Sequence, residues 1–125
     1  DVITRLLKNE DPIIRSDGTP ERDYMYIKDA VSAYLTLAEN LHKKDVLGQA
    51  FNFGTGKPIS VLELYKKIIS LMGKKIEPKI LGQAKNEIDR QYLDSGKAKK
   101  VLGWEAKYTI DEGLKETIEW YTGHF

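Results

Sequence analysis

Two arginines seven positions apart, Arg15 and Arg22, are the side chains of this sequence best suited to hold an anion. A guanidinium carries five donors in a planar fork that fits phosphate and other oxyanions. Both lie in the run Ile13-Ile14-Arg15-Ser16-Asp17-Gly18-Thr19-Pro20-Glu21-Arg22-Asp23-Tyr24-Met25-Tyr26-Ile27-Lys28-Asp29. Ile13 and Ile14 are β-branched and favour a pleated surface, and Asp17-Gly18 supplies turn chemistry. Beyond the turn, Arg22, Tyr24 and Tyr26 alternate with Asp23, Met25 and Ile27, the period of a strand. Asp29 stands where a helix N-cap is expected. The run therefore predicts a hairpin carrying two cations, followed at once by a helix. The plainer alternative for Arg22 is a surface ion pair with Glu21 or Asp23, which is worth little.

Three further constellations carry chemistry or resemble it. Tyr24-x-x-x-Lys28 has the spacing of an acid/base pair in which a lysine one helical turn away lowers the tyrosine pKa. In extended backbone, residues four apart are separated by roughly 13 Å, so the sequence assigns no catalytic pair here. Gly54-x-Gly56 follows the apolar run Phe51-Asn52-Phe53 and opens like a dinucleotide fingerprint, but Ile59 stands where the third glycine belongs. It reads as a tight turn, and no residue is assigned to cofactor binding. The Asn52 amide is either a structural hydrogen-bonding group or a ligand contact. Arg90, at the end of a polar loop over 83–90, is either paired with Asp89 or a second anion contact. His42 and His124 have no metal-ligand spacing and the chain has no cysteine, so no metal site is assigned.

The elements that must position these groups are read from periodicity. Val2, Ile3, Leu6 and Leu7 mark one face of a helix over about 1–8, stopped by Pro12. A helix from Ala30 to about His42 shows a broad apolar stripe that should face a core or a sheet. Residues 49–54 predict a buried strand. Ser60 and Glu63 form a capping box that opens a helix ending at Gly73. Residues 76–81, with Pro78 among them, suit an edge strand or an isolated extended piece. Asp94-Ser95 caps a short helix halted by Gly103, and Trp104 should pack under the last helix, which Thr109 and Glu112 open as a second capping box. Helices alternating with short strands predict an α/β chain with α+β character, a single domain over 1–125.

Composition narrows the function. The chain has 125 residues, 41% hydrophobic and 31% charged, with net charge +1. Nothing in that balance draws a nucleic acid by bulk attraction. No apolar run approaches the ~20 residues that cross a bilayer, so no membrane partner is expected and a cytoplasmic location is the default. The chain opens on Asp1-Val2-Ile3, already in helical register, and is expected to be a piece of a longer protein.

The motif Gly18-x-x-x-Arg22-Asp23-Tyr24-x-Tyr26-x-x-Asp29 resembles the carboxy-terminal portion of extended short-chain dehydrogenase/reductases, the Rossmann-type nucleotide-sugar epimerases and dehydratases. Phe51-Asn52-Phe53-Gly54-Thr55-Gly56 is similar to the family's Phe-Asn-Ile-Gly-x-Gly, and Asp94-x-x-Lys97-Ala98 with Leu102-Gly103-Trp104 to its closing signature. The likeness runs from about Pro12 to Tyr121. It departs ahead of Arg90, where Gln83-Ala84-Lys85-Asn86-Glu87 replaces the common Pro-Gly-Asp. Ile14-Arg15-Ser16-Asp17-Gly18-Thr19 with Gln91-Tyr92-Leu93 looks most like CDP-glucose 4,6-dehydratases. The resemblance implies that Arg22 and Arg90 contact the diphosphate of a nucleotide-sugar substrate, Arg15 its base or ribose, and that Asn52 lies near the nucleotide. It implies NAD, bound by an amino-terminal part absent here together with the catalytic Tyr/Lys pair, a homodimer, and oxidation at C4, loss of water across C5–C6 and hydride return to C6. The piece alone should then be inactive. A UDP-sugar 4-epimerase of the same family is the alternative. A non-catalytic ligand-binding or oligomerisation module is the alternative of another class, for which no upstream Gly-x-x-Gly-x-x-Gly would be found.

Overall fold

A computed structural model of the chain describes residues 1–84 and 86–124. Within them the order is α1 (Val2–Leu7), β1 (Ile13–Ile14), β2 (Glu21–Arg22), α2 (Ile27–Asn40), β3 (Ile59–Ser60), α3 (Val61–Leu71), β4 (Lys79–Ile80), β5 (Arg90–Gln91), α4 (Gly96–Leu102) and α5 (Ile110–His124). This is the α/β mixture of helices and a few short strands that the periodicity predicts. Lys85, part of the departure ahead of Arg90, lies outside the described residues.

Local signals set most helix ends. Ser60 Oγ accepts from Glu63 N at 3.1 Å and Glu63 Oε2 from Ser60 N at 3.3 Å, closing the expected capping box. The second box forms as well: Thr109 N donates to Glu112 Oε2 at 2.8 Å and Glu112 N to Thr109 Oγ1 at 3.3 Å. The bond from the Thr109 hydroxyl, then that from its amide, hold the Glu112 carboxyl below its ordinary pKa. Gly103 ends α4 at φ +70°, a left-handed stop that glycine takes without steric cost.

The apolar faces close two clusters. Ile3 and Leu6 of α1, Ile68 and Ile69 of α3 and Leu114 of α5 are buried together. Ala33 of α2, Ala98 of α4 and Trp104 form the second, with Phe51 and Phe53 against them. Trp104 meets Phe53 edge-on at 4.9 Å and donates from Nε1 to Ser32 Oγ at 2.9 Å. Trp104 is therefore core, as its type suggests, but between α2 and α4 and not under α5. The Ser32 hydroxyl supplies the partner that its indole N–H needs.

Three expectations about the first half of the chain are corrected. β1 and β2 do not pair as a hairpin: β1 runs parallel to β4 (Ile13↔Lys79), whereas β2 lies between antiparallel β3 (Glu21↔Ser60) and parallel β5 (Glu21↔Arg90). The turn diverts the chain, because Gly18 O and Pro20 O accept from Leu62 N and Val61 N at the start of α3. Asp29 does not cap α2, which begins at Ile27 with Tyr26 as N-cap. Its buried carboxylate reaches out of the helix, accepting from Lys107 N at 3.0 Å and Tyr108 N at 3.1 Å. Residues 49–54 join no ladder among the described residues. Ser95 Oγ takes the ladder's place, accepting from Gly54 N at 2.8 Å and donating to Gly54 O at 3.0 Å.

Candidate functional site

Arg22 leaves β2 beside a cavity of about 230 Å³ lined by Arg22, Asp23, Met25, Phe53, Gly54, Gln91, Tyr92 and Leu93. Its Nη1 donates to Glu21 O at 2.8 Å and Ile88 O at 2.6 Å. Those two bonds use both Nη1 hydrogens. Nε and Nη2 bond to nothing among the described residues, which leaves three of the five guanidinium N–H groups for an outside acceptor. No ion pair joins Arg22 to Glu21 or Asp23. A guanidinium tied down on one edge and open on the other is pre-oriented for an oxyanion, since little rotamer freedom is left to lose.

Asp23, which the sequence reading passed over, assembles the walls of that cavity. Its Oδ1 accepts from Thr55 N at 3.1 Å and from the Thr55 hydroxyl, and its Oδ2 from Gly56 N at 3.0 Å and Leu93 N at 3.5 Å. One carboxylate thus ties β2 to two remote loops. Gly54 is part of the same fit, because a Cβ there would lie 2.6 Å from Asp23 Oδ2 and 3.0 Å from Leu93 Cβ. The signal was present: Asp23 falls in phase with Met25, which packs on the second cluster, and an acid on the inward side of an extended segment must find partners.

The other expected contacts are placed less closely. Arg90 heads β5 and is 63% exposed. Its Nε lies 2.8 Å from Glu21 Oε2, an ion pair with a residue other than Asp89. Its guanidinium also sits 5.4 Å from the centre of the Tyr92 ring. Register puts it opposite Glu21, one position from Arg22. Arg15 is exposed; its carbonyl accepts from Gln83 N at 2.8 Å and Ala84 N at 3.2 Å. Asn52 is exposed in the extended segment that leads to Gly54. The structure thus joins Arg22 and Arg90 through one strand pair, and leaves Arg15 and Asn52 at the surface.

Tyr24 and Lys28 part company at the start of α2. Burial raises the Tyr24 hydroxyl above its ordinary pKa, and the Arg22 charge opposes that rise. Lys28 instead pairs with Glu116, which also accepts from Tyr26 OH at 2.9 Å. Lys28 is not among the charges that act on the Tyr24 hydroxyl.

Comparison with known proteins settles the kinship. The sequence model of GDP-mannose 4,6 dehydratase matches residues 1–117. The chain belongs to that family. A UDP-glucose 4-epimerase of Cyamopsis tetragonoloba is 34% identical over 105 residues, 84% of this chain and 30% of that protein. The Thermotoga maritima UDP-glucose 4-epimerase, solved with UDP-glucose, superimposes with a TM-score of 0.84 at 35% identity, covering 98% of this chain and 38% of its own. The Bacillus anthracis dTDP-glucose 4,6-dehydratase, solved with NAD, gives 0.83 at 27% identity, over 98% and 37%. The chain spans about a third of the length of these relatives. The Bacillus anthracis neighbour was solved with a bound dinucleotide, and the Gly54-x-Gly56 loop is the place in this chain to test for one. It does not fit. The amides of Thr55 and Gly56, which a pyrophosphate would need, already serve Asp23. The first turn of α3 is in turn capped by Ser60.

Proposed function

We propose that this chain is the substrate-gripping carboxy-terminal part of an NAD-dependent nucleotide-sugar 4,6-dehydratase, most like the CDP-glucose enzymes, with Arg22 holding the diphosphate. The observation that carries this is the half-satisfied Arg22 guanidinium at the mouth of a built cavity, in a chain of this family. Arg90 adds a second positive charge on the adjacent strand, and Arg15 and Asn52 stand as outer contacts to the nucleotide. NAD and the catalytic tyrosine and lysine belong to residues beyond these. This part contributes orientation: gripping the nucleotide presents the sugar to the chemistry with its entropy already spent. Working as a homodimer in the cytoplasm is part of the same reading. Among the described residues no helix is long and apolar enough to cross a membrane.

A second reading is supported by the Thermotoga and Cyamopsis relatives, both UDP-glucose 4-epimerases. Mass separates the two, because a dehydratase lowers the sugar's mass by one water and an epimerase leaves it unchanged. Calorimetric titration of the intact protein with CDP-, UDP-, dTDP- and GDP-glucose tests the grip itself. Arg22→Ala removes a charge-assisted bond of ~1.5–3 kcal/mol, so affinity for the preferred ligand should fall about ten- to hundredfold. Unchanged affinity takes Arg22 out of the site, and no binding by any of the four sinks the reading.

A further inference from the structure

β2 and β5 sort their side chains onto two faces. Successive residues of a strand point to opposite sides, and the parallel register sets Arg22 opposite Gln91 and Glu21 opposite Arg90. The cavity follows that division: Arg22 and Gln91 line it, whereas Glu21 and Arg90 do not. A carboxylate and a guanidinium therefore meet directly behind the residue that faces the anion.

Charge holds this pair, not aimed bonds. Arg90 Nε lies 2.8 Å from Glu21 Oε2, yet that oxygen is closed off from water and accepts no hydrogen bond among the described residues. A buried acceptor without a donor is costly, and Arg90 is the cation that offsets it. The backbone of Glu21 is fixed on both sides. Its carbonyl accepts from Arg22 Nη1 at 2.8 Å, and its amide donates to Asp89 O at 2.7 Å. The Tyr92 ring, 5.4 Å from the Arg90 guanidinium, holds the cation from its other side. Asp23 flanks Arg22 as well, but its oxygens serve amides and a hydroxyl. Glu21 is thus the carboxylate here that works on a cation.

We propose that Glu21 is a positioning residue that moderates the anion site. Its carboxylate keeps Arg90 on the far face of β5 and offsets its charge, so a diphosphate beside Arg22 meets one unopposed guanidinium and not two. This rests on the reading that Arg22 grips a diphosphate. The benefit is release. In a sugar modification the nucleotide is common to substrate and product, so a stronger grip on it favours both equally and leaves the barrier between them unchanged. A second unopposed cation would only lengthen the stay of product, and product release sets the pace of many enzymes.

The test is a charge cycle in the intact protein, titrated calorimetrically with CDP, UDP, dTDP and GDP. Glu21→Gln keeps the shape of the side chain and removes its charge. It should bind the preferred diphosphate about three- to tenfold more tightly, an effect that fades at high salt. Binding of the corresponding nucleoside, which carries no phosphate, should not change. Arg90→Ala leaves Glu21 unopposed and should weaken diphosphate binding by a similar factor, and the double substitution should return it to the level of the unaltered protein. A merely structural pair would give losses in all three variants, and that result overturns the proposal. So does a gain that extends to the nucleoside. Should Glu21→Gln fail to fold, the double substitution must still bind more tightly than Arg90→Ala alone, and equality of those two overturns the proposal. If Arg22→Ala weakens binding while the cycle is flat, the grip stands and the moderation falls. If Arg22→Ala changes nothing while the cycle behaves as stated, the reading of Arg22 fails and the charge offset stands.

Discussion

Asp23 and Asp29 lie six positions apart and do the same thing chemically: each collects backbone amides from loops far away in sequence. They differ in where they do it. Asp29 is 2% exposed and welds α2 to the segment ahead of α5. Asp23 is half-buried at the wall of the Arg22 cavity and welds β2 to the loops at 54–56 and 93. In the interior the device serves stability, because an amide left without an acceptor has no water to turn to. At the cavity wall water can step in, so what is at stake is the position of the loops and of Arg22 beside them.

The sharpest way to break this contrast is Asp29→Ala. It takes the buried acceptor from two part-buried amides, at ~1–3 kcal/mol each. A loss of about 2–5 kcal/mol should lower Tm by roughly 10–20 °C, read by circular dichroism. A shift of only a degree or two would mean that water or a neighbour replaces the carboxylate. Gly54→Ala comes next. Its methyl group would meet Asp23 Oδ2 and Leu93 Cβ, an overpacking of about 1–3 kcal/mol. Because both partners share one contact, the cost should shrink in an Asp23→Ala background, a coupling that a double-mutant cycle measures. Additive costs would place the Gly54 strain elsewhere. Asp23→Asn is milder for the fold, at about 1 kcal/mol, since one oxygen still accepts while the amide group turns donors toward donors. Affinity for the nucleotide sugar should nevertheless fall about tenfold through the displaced loops. An affinity that follows Tm alone would make Asp23 a second Asp29.

Much of this was legible from local rules. The capping boxes at Ser60 and Thr109, the glycine stop at Gly103 and the amphipathic faces of α1, α3 and α5 involve neighbours in sequence, where spacing alone specifies geometry. Arg22 was legible as an anion group because its type and its motif agree. What could not be read is who satisfies whom at long range. Asp29 has good N-cap chemistry, yet the two amides at 107–108 draw it inward. Phe51 and Phe53 have strand character, yet a serine hydroxyl and Trp104 replace the ladder. The hairpin failed for the same reason: α3 offers amides to Gly18 and Pro20 before β1 can.

A third carboxylate marks the lower limit of the series. Glu116 of α5 accepts from Lys28 and Tyr26 at the start of α2, with Tyr26 and Tyr108 in tilted ring contact at 4.8 Å. It binds flexible side chains in place of backbone amides, and it is solvent-accessible, so it should matter least. The bond from Lys28, then that from Tyr26, hold its pKa below the ordinary 4.5. Lys28 is raised above 10.5, chiefly by the same bond. A carboxylate depressed on folding stabilises above its unfolded pKa and loses that contribution as pH falls through the folded value. A lysine raised on folding stabilises below its unfolded pKa and loses that contribution as pH climbs through the folded one. Glu116→Gln should therefore lower Tm slightly and by a constant amount between those limits, and the gap from the unaltered chain should close as pH falls through the lowered Glu116 value. Melting curves that stay parallel down the acid limb would show that the three side chains meet without holding α5 to α2.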